Sequence, residues 1–402
     1  MAPLSGLTRV TRLFEHPIVQ APMAGGGSTP ALAAAVGEAG GLGFLAAGYK
    51  TPAAMHEEIR QLRARTGRPF GVNLFLPQPP AAADPAAADP AAVEAYAERL
   101  AGEAARYRTP LGEPDLSSDD AYDAKLALLL EDPVPVVSFT FGCPSRTAVD
   151  ALAAVGTVTV VTVTSAAEAR AAREAGADAV CVQGVEAGGH QGTHHDDPHA
   201  HYPHAGGAGA DGAGADDSHA GGVGAGAGLL PLLAEVRESV PLPVIATGGL
   251  MRGEAIAEVL AAGACAAQLG TAFLPCPESG AHPLHKRALT DPLFARTELT
   301  RAFTGRPARG LVNRFIREHG PYAPAAYPQI HHMTSGLRRA AAAAGDPEGM
   351  SLWAGQGHRL ARAMPAGDLV AVLAAELAAA RAPSGAEPMV PGRADDGVEL
   401  SR

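Results

Sequence analysis

The side chain in this sequence best suited to acid–base chemistry is His190. It follows two glycines in the run QGVEAGGHQG, residues 183–192. An imidazole titrates near neutral pH, so it can take up or release a proton during a reaction. Gly188 and Gly189 permit a tight turn that would present the ring. A histidine after two glycines also occurs in ordinary surface loops, so its position in the fold decides between these interpretations.

Two glycine-bearing turns indicate a phosphate site. They lie in ATGGL, residues 246–250, and in AQLGTAF, residues 267–273, and each leads into a helix-like segment. Backbone N–H groups at such turns, next to a helix N-terminus, can bind a phosphate dianion without a lysine. Plain turns are the alternative interpretation, but two such turns in successive units favour phosphate.

Two further segments carry candidate ligand-binding groups. In QAPMAGG, residues 20–26, Pro22 stiffens the chain and the glycines let backbone amides approach a ligand. In GVNLF, residues 71–75, Asn73 offers a side-chain amide, as does Gln183 at the start of the histidine run. Each amide could equally stabilise the fold or bind a cofactor.

The elements that position these residues are short apolar runs alternating with helical patterns. The runs mostly lack strict alternation, as expected for parallel strands covered on both faces. Eight such units predict a closed (β/α)8 TIM barrel, with an open doubly wound sheet as the alternative. In such barrels the loops after the strands form the active site, and the candidate residues fall there. The predicted strands are residues 17–23, 42–47, 70–75, 134–141, 158–163, 179–183, 243–247 and 266–273.

Segments that interrupt the alternation of strands and helices indicate the domain organisation. We predict a barrel over residues 1–277, with a helical insertion at 77–125 and a Gly/His-rich loop at 192–228. A mainly helical extension, residues 278–381, would complete the barrel and the substrate side. The tail, residues 382–402, is predicted to be disordered.

Composition restricts the partners. The chain has 402 residues and a net charge of −11, and its basic residues form no stripe, which argues against nucleic acid and anionic membranes. There is no apolar leader and no apolar run of about 18 residues. The four cysteines are far apart and lack zinc spacing. These features predict a cytoplasmic protein that acts on a small molecule as a monomer or homodimer.

In order along the chain, the motifs QAPMAGG, GVNLF, EAGGHQG, ATGGL and QLGT resemble those of nitronate monooxygenases, formerly called 2-nitropropane dioxygenases. The similarity continues through TRAFTGRPARGLVNRF, residues 300–315, and SLWAGQG, residues 351–357. The resemblance implies a TIM barrel that binds FMN. It also implies oxidation of alkyl nitronates by O2 to a carbonyl compound and nitrite, with propionate 3-nitronate among the candidate substrates.

The resemblance also implies roles for individual residues. His190 would be the base near the flavin, although a nitronate is already ionised and could use it for orientation instead. Pro22 and Met23 would line the isoalloxazine ring. The remaining FMN contacts would be Asn73, Gln183, Gly188, Gly189, Gly248, Gly249, Gln268, Leu269, Gly270 and Thr271.

Other functions stay open at this point. An FMN-dependent enoyl-thioester (enoyl-ACP) reductase that uses NAD(P)H shares the barrel and the EAGGH histidine. A catalytically idle flavin- or metal-binding protein is a third possibility. A histidine cluster in the Gly-rich loop invites a metal interpretation, but it lacks a rigid helical face, and we predict no catalytic metal. The cluster consists of His194, His195, His199, His201, His204 and His219.

The chain departs from the family pattern in two places. The Gly/His-rich segment after Gly192 is long, and YPQIHHMTSGLR, residues 327–338, carries His331 and His332 where many relatives have an asparagine-containing version. Both departures lie in segments that are expected to contact the substrate. They therefore leave the identity of the substrate open, but not that of the cofactor. Arg306 and Arg309 are left without an assigned role.

Overall fold

The computed structural model describes residues 6–77, 89–114, 119–197 and 226–382. Its centre is a sheet of eight parallel strands, and three shorter strands form a second, antiparallel sheet. In chain order the strands are β1 (Ile18–Gln20), β2 (Gly43–Ala46), β3 (Phe70–Phe75), β4 (Val136–Thr140), β5 (Val158–Val163), β6 (Ala179–Gln183), β7 (Gly189–His190), β8 (Val244–Thr247), β9 (Ala266–Leu269), β10 (Thr297–Thr300) and β11 (Ala308–Leu311).

The eight-stranded sheet closes on itself. Its order is β1-β9-β8-β6-β5-β4-β3-β2, and a parallel bridge between Val19 and Leu42 joins the two ends. The N–H of Gln20 donates to the carbonyl of Leu42 at 2.9 Å, and the N–H of Leu42 donates to Ile18 at 3.0 Å. The predicted TIM barrel is therefore confirmed, and the open doubly wound sheet is excluded.

Eight of the helices form a ring outside the barrel: α2, α3, α6, α7, α8, α9, α10 and α14. Several start where the sequence signals predict, because a Thr or Ser side chain caps the first turn, as Thr29 and Ser165 do. The helices are α1 (Gly6–Thr11), α2 (Pro30–Glu38), α3 (Pro52–Arg63), α4 (Pro90–Arg99), α5 (Ala101–Tyr107), α6 (Tyr122–Glu131), α7 (Arg146–Ala154), α8 (Ala166–Ala175), α9 (Leu229–Ser239), α10 (Gly253–Ala261), α11 (Pro283–Ala288), α12 (Arg314–His319), α13 (Gln329–Ala343) and α14 (Ala366–Arg381).

The two ends of the barrel differ. At the N-terminal end of the strands, Val10 of α1 packs with Leu13 and Phe14 against inward-facing residues such as Phe44 and closes the barrel with apolar contacts. At the other end, α4 and α5 of the insertion pack with α12 and α13 in a separate apolar cluster. This layer lies over the ends of the strands, where a barrel enzyme has its active site.

The structure refines several sequence-based boundaries. The first strand ends at Gln20 rather than at 23, and the last barrel strand ends at Leu269, followed by a 3-10 turn over Thr271–Phe273. The extension is not purely helical, because it contains β10 and β11. The domain boundaries themselves stay a prediction.

Part of the predicted organisation lies outside the described residues. This applies to 198–225 of the Gly/His-rich loop, to 383–402 of the predicted tail, and to 78–88 and 115–118 of the insertion. Within the described ranges, no helix combines the length and apolar character needed to cross a membrane.

Helix α14 completes the ring, packing against α10 and α2, and we predict that the barrel depends on it. Leu373, at its centre, is fully buried. We expect Leu373→Ala to lower the free energy of unfolding by about 2–5 kcal/mol, because it leaves a cavity at this contact. Ala375→Ser, on the exposed side of the same helix, should change it by less than about 0.5 kcal/mol. Urea titration measures both; equal effects would show that α14 is peripheral.

Candidate functional site

A cavity of about 360 Å³ opens at the C-terminal ends of the barrel strands. This volume lies within the range of small-molecule and cofactor sites. Every residue that the sequence motifs single out lines this one cavity. They are Pro22, Met23, Asn73, Gln183, Gly188, Gly189, His190, Gly248, Gly249, Gln268, Leu269, Gly270 and Thr271.

His190 is held in place by the extension that follows the barrel. Strand β7 pairs antiparallel with β11, so that His190 lies opposite Ala308. Next to it, the N–H of Gln191 donates to the carbonyl of Pro307 at 2.8 Å. Gln183 supports the same loop from the barrel side: its Nε2 donates to the His190 carbonyl at 3.1 Å and its Oε1 accepts from Gly192 N at 2.7 Å. Gln183 therefore fixes the histidine loop as well as lining the cavity.

The hydrogen bonds of Thr304 indicate the tautomer of His190. The Thr304 hydroxyl donates to the carbonyl of Arg306 at 3.1 Å, and its oxygen lies 2.9 Å from His190 Nε2. Because a hydroxyl has only one hydrogen, both contacts are satisfied as hydrogen bonds only when Nε2 is the donor in the second. The unprotonated nitrogen is then Nδ1, for which no described residue provides a hydrogen bond. The imidazole thus keeps a free lone pair at the cavity.

The surroundings of His190 keep the ring neutral. Burial lowers its pKa to about 3, and the nearby positive charges of Arg306 and Arg338 act in the same direction. His331, which also lines the cavity, has its pKa lowered to about 2 by burial and by Arg338. Both imidazoles are therefore uncharged across the neutral range.

Aromatic rings form the walls around His190. Phe141, Tyr327 and Trp353 have ring centroids 5.7, 6.0 and 5.7 Å from the imidazole. Phe141 adopts φ 75°, which turns its ring towards the cavity directly after β4. Such walls exclude water and strengthen the electrostatic interactions inside.

Two side-chain amides offer unused polar atoms to a ligand. Asn73 Nδ2 donates to Ser138 and to Thr140, but no described residue donates to its Oδ1. The side chain of Gln268 makes no hydrogen bond to any described residue, although its backbone carbonyl accepts from Thr247. Unpaired amides on a largely buried surface are expected where a polar ligand completes the network.

The glycine turns after β8 and β9 provide backbone donors. No described residue accepts a hydrogen bond from the N–H of Gly249 or Gly270. Gly249 has φ 69°, a conformation that side-chain-bearing residues rarely adopt. Gly188 is needed for a different reason, because a Cβ there would lie 2.5 Å from Gly355 N of the SLWAGQG segment.

The structure gives Arg306 and Arg309 structural contacts. Arg309 Nε donates to the carbonyl of Val185 at 2.8 Å, which ties β11 to the start of the histidine loop. The Arg306 guanidinium donates to the carbonyl of Thr193 and stacks 4.1 Å over the ring of Phe141. Both arginines therefore hold the walls of the cavity.

The comparisons with known proteins agree with this geometry. The family model for nitronate monooxygenase matches residues 8–376. The chain belongs to the nitronate monooxygenase family. The nitronate monooxygenase of Pseudomonas aeruginosa is 40% identical over 380 residues, covering 92% of this chain and 99% of that protein. The probable nitronate monooxygenase of Bacillus subtilis is 34% identical and covers 86% and 91%. The resemblance inferred from the motifs, to a family of flavin-dependent oxidoreductases, is confirmed.

Two solved proteins are similar to this chain over most of its length. A nitroalkane oxidase from Streptomyces ansochromogenes is 64% identical, with a TM-score of 0.83, and the match covers 93% of this chain and 99% of that one. FabK from Thermotoga maritima is 31% identical, with a TM-score of 0.67 over 92% and 96% of the two chains. The nitroalkane oxidase is thus clearly more similar to this protein than FabK is.

The metal interpretation gains no support from the described residues. His199, His201, His204 and His219 lie outside them, and His194 Nε2 contacts the Thr162 carbonyl at 3.0 Å. Elsewhere in the described part, Glu103, Glu318 and His319 come close together. The Arg314 guanidinium bridges the two glutamates, which makes this group an ion-pair network.

Sequence reasoning missed several residues of the cavity. Phe141 comes directly after β4 and Tyr49 lies in the loop after β2, where the barrel rule alone could have indicated them. Thr304, Tyr327 and Trp353 reach His190 from the extension, and no spacing in the sequence relates them to it.

The buried histidines predict acid sensitivity. Burial lowers the pKa of His285 to about 4, below an unfolded value of about 6.5. The unfolded chain therefore binds more protons between these values, and stability is lost as the pH falls through this window. Between pH 7 and pH 5, His285→Gln should lose about 1–2 kcal/mol less than the parent protein, as measured by urea unfolding. His195→Gln, at an exposed residue, should lose as much stability as the parent protein over this pH range. If His285→Gln also lost as much as the parent, burial of His285 would not be a cause of the acid sensitivity.

Proposed function

We propose that this protein uses FMN to oxidise alkyl nitronates with O2 and releases a carbonyl compound and nitrite. The observation that carries the proposal is the neutral, tautomerically fixed His190 in an aromatic-walled cavity at the barrel mouth. Family membership supports the chemistry, since the relatives are named for nitronate oxidation.

The residues present fit FMN. The free N–H groups of Gly249 and Gly270 suit its phosphate, in the two turns where barrel enzymes commonly bind phosphate. Asn73 Oδ1 is available to accept a hydrogen bond from the ring system, in the cavity that Pro22 and Met23 also line. Bound there, FMN supplies the redox chemistry by accepting electrons from the substrate and passing them to O2. The protein contributes position, polarity and exclusion of water.

The role of His190 depends on the substrate. Its Nδ1 can accept a proton, but a pKa near 3 makes it a weak base towards a neutral nitroalkane. A nitronate has already lost the α-proton, so it needs no base and gains only orientation from the imidazole. The electrostatics of the cavity therefore favour the nitronate as the form that reacts.

The enoyl-thioester reductase is the second candidate, because it would share the barrel and the histidine of the EAGGH run. That function would require a nicotinamide to reduce the flavin. Mixing the flavin-loaded protein with NADH under anaerobic conditions separates the two functions. We expect no bleaching of the flavin by NADH, and O2 uptake with nitrite release on adding ethyl nitronate in air. Rapid bleaching by NADH with no response to the nitronate would assign the protein to the reductases.

Replacing the histidine tests its role as a base. We expect His190→Asn to keep bound FMN and to lose turnover of neutral nitroethane about 10-fold, less than the roughly 100-fold or more of a well-matched base, because a pKa of about 3 makes His190 a weak base. Turnover of ethyl nitronate should fall much less, because that substrate is already ionised. Initial rates of nitrite release with both substrates measure the difference. Equal losses would show that His190 is not the base.

Replacing a glycine tests the phosphate position. Gly249→Val introduces a branched side chain at φ 69°, where its Cβ would lie 3.1 Å from Glu186 Cβ, and it blocks approach to the N–H. We expect the purified variant to lose its yellow colour. Gly345→Val is the control, since it introduces similar backbone strain at φ 73° with nothing within 4 Å of the new Cβ and away from the cavity. Full flavin content in Gly249→Val would contradict the assignment.

A further inference from the structure

The charge of the cavity comes from one side chain. Among the described residues that line it, Arg338 is the only one with a permanent charge, and no Asp, Glu or Lys is present. His190 and His331 are neutral for the reasons given above. The described lining of the cavity therefore holds one permanent positive charge, which no lining carboxylate balances.

Arg338 is fixed by its own helix, but its guanidinium is not saturated. From the second half of α13, Nη2 donates to the carbonyl of His331 at 3.0 Å, and Nε contacts the carbonyl of Thr334 at 3.4 Å. Within the described ranges Nη1 has no hydrogen-bond partner, and no acidic side chain forms an ion pair with Arg338. Two N–H groups are thus available to a ligand.

The aromatic surroundings of Arg338 make a guanidinium without a described ion-pair partner unusual. His331 stacks on Tyr49 with ring centroids 4.2 Å apart, and the Tyr49 hydroxyl meets that of Tyr327 at 3.3 Å. Burial lowers the pKa of Arg338 only to about 10, so the guanidinium stays charged at neutral pH. A partly buried charged group without a counter-ion is costly unless a ligand of opposite charge completes the site.

This cation lies apart from the proposed phosphate position. Helix α13 reaches the cavity beside Tyr49, which follows β2, whereas the free N–H groups of Gly249 and Gly270 follow β8 and β9. In the barrel, β2 is separated from β9 by β1. One cavity thus has backbone donors for a phosphate and, separately, a side-chain cation near His190.

We propose that Arg338 binds the negatively charged oxygens of the substrate and makes the cavity select a nitronate anion over the neutral nitroalkane. This inference rests on the proposed function and names the residue that sets its substrate preference. A guanidinium suits a planar anion that shares its charge between two oxygens, because its N–H groups form a flat fork.

The same charge connects substrate selection to His190. The positive charge of Arg338 favours the unprotonated imidazole, which weakens it as a base for a neutral nitroalkane. A nitronate bound beside Arg338 is already negatively charged, so its oxidation does not require a base to remove a proton. Binding of the nitronate and poor use of its conjugate acid therefore have one electrostatic cause.

Nitrate, a planar anion that cannot be oxidised by the flavin, tests the proposal without turnover. We would titrate the flavin-loaded protein with nitrate and follow the flavin absorbance. Arg338→Gln should bind nitrate about 10- to 100-fold more weakly, the loss expected for a hydrogen bond to a charged group. Arg338→Lys should keep part of the affinity. Arg339→Gln, the exposed neighbour on the same helix, should bind like the parent.

Kinetics give the second readout. In Arg338→Gln, the KM for ethyl nitronate should rise about 10- to 100-fold, whereas kcat/KM for neutral nitroethane should not fall and should rise if anything, because loss of the charge makes His190 a stronger base. Equal losses for both substrates, or unchanged nitrate affinity, would overturn the proposal. Loss of bound flavin in Arg338→Gln would also overturn it, by showing that the residue serves the cofactor phosphate. If no nitronate is oxidised at all, the proposed function fails, but the nitrate titration still decides whether Arg338 binds an anion.

Discussion

The two-residue ladder between β7 and β11 is the interaction on which the site depends. It joins the loop after the sixth barrel strand to a segment more than a hundred residues later, and it brings Thr304 within 2.9 Å of His190 Nε2. A histidine on a glycine-rich loop would otherwise sample many orientations. Pairing and hydrogen bonding together fix the ring, its tautomer and the direction of its free lone pair.

The electrostatic properties of the cavity result from the enclosure of the His190 imidazole. Phe141 after β4 and the aromatic side chains Tyr327 and Trp353 of the extension surround the imidazole, and its burial lowers its pKa to about 3. The same exclusion of water strengthens the field of Arg338. A protein that needed a strong base would place a carboxylate beside the imidazole, whereas this cavity places arginines there. This placement of positive charge favours a reaction whose substrate is already an anion.

The sequence predicted the barrel well because its signals are local. Val-rich runs such as Val158–Val163 and capped helices such as Ala166–Ala175 have the bounds that their patterns indicate. The glycine turns and the EAGGH run lie at strand ends, so the barrel rule alone brings them to one mouth. Errors occurred where a local signal is ambiguous: residues 270–273 read as strand, but form a 3-10 turn after Gly270. The same composition suits both conformations.

What the sequence by itself determined is the fold, the family and one half of the cavity, because strand ends and turns are encoded by neighbouring residues. Only the tertiary structure decided the other half. Tyr327 and Trp353 are far from His190 in sequence and meet it only because the extension folds back over the barrel. The tertiary structure also decided which groups of the cavity are charged, since the protonation state of an imidazole depends on burial and on distant charges. A sequence records which groups exist, but their pKa values depend on which of them are brought together without water.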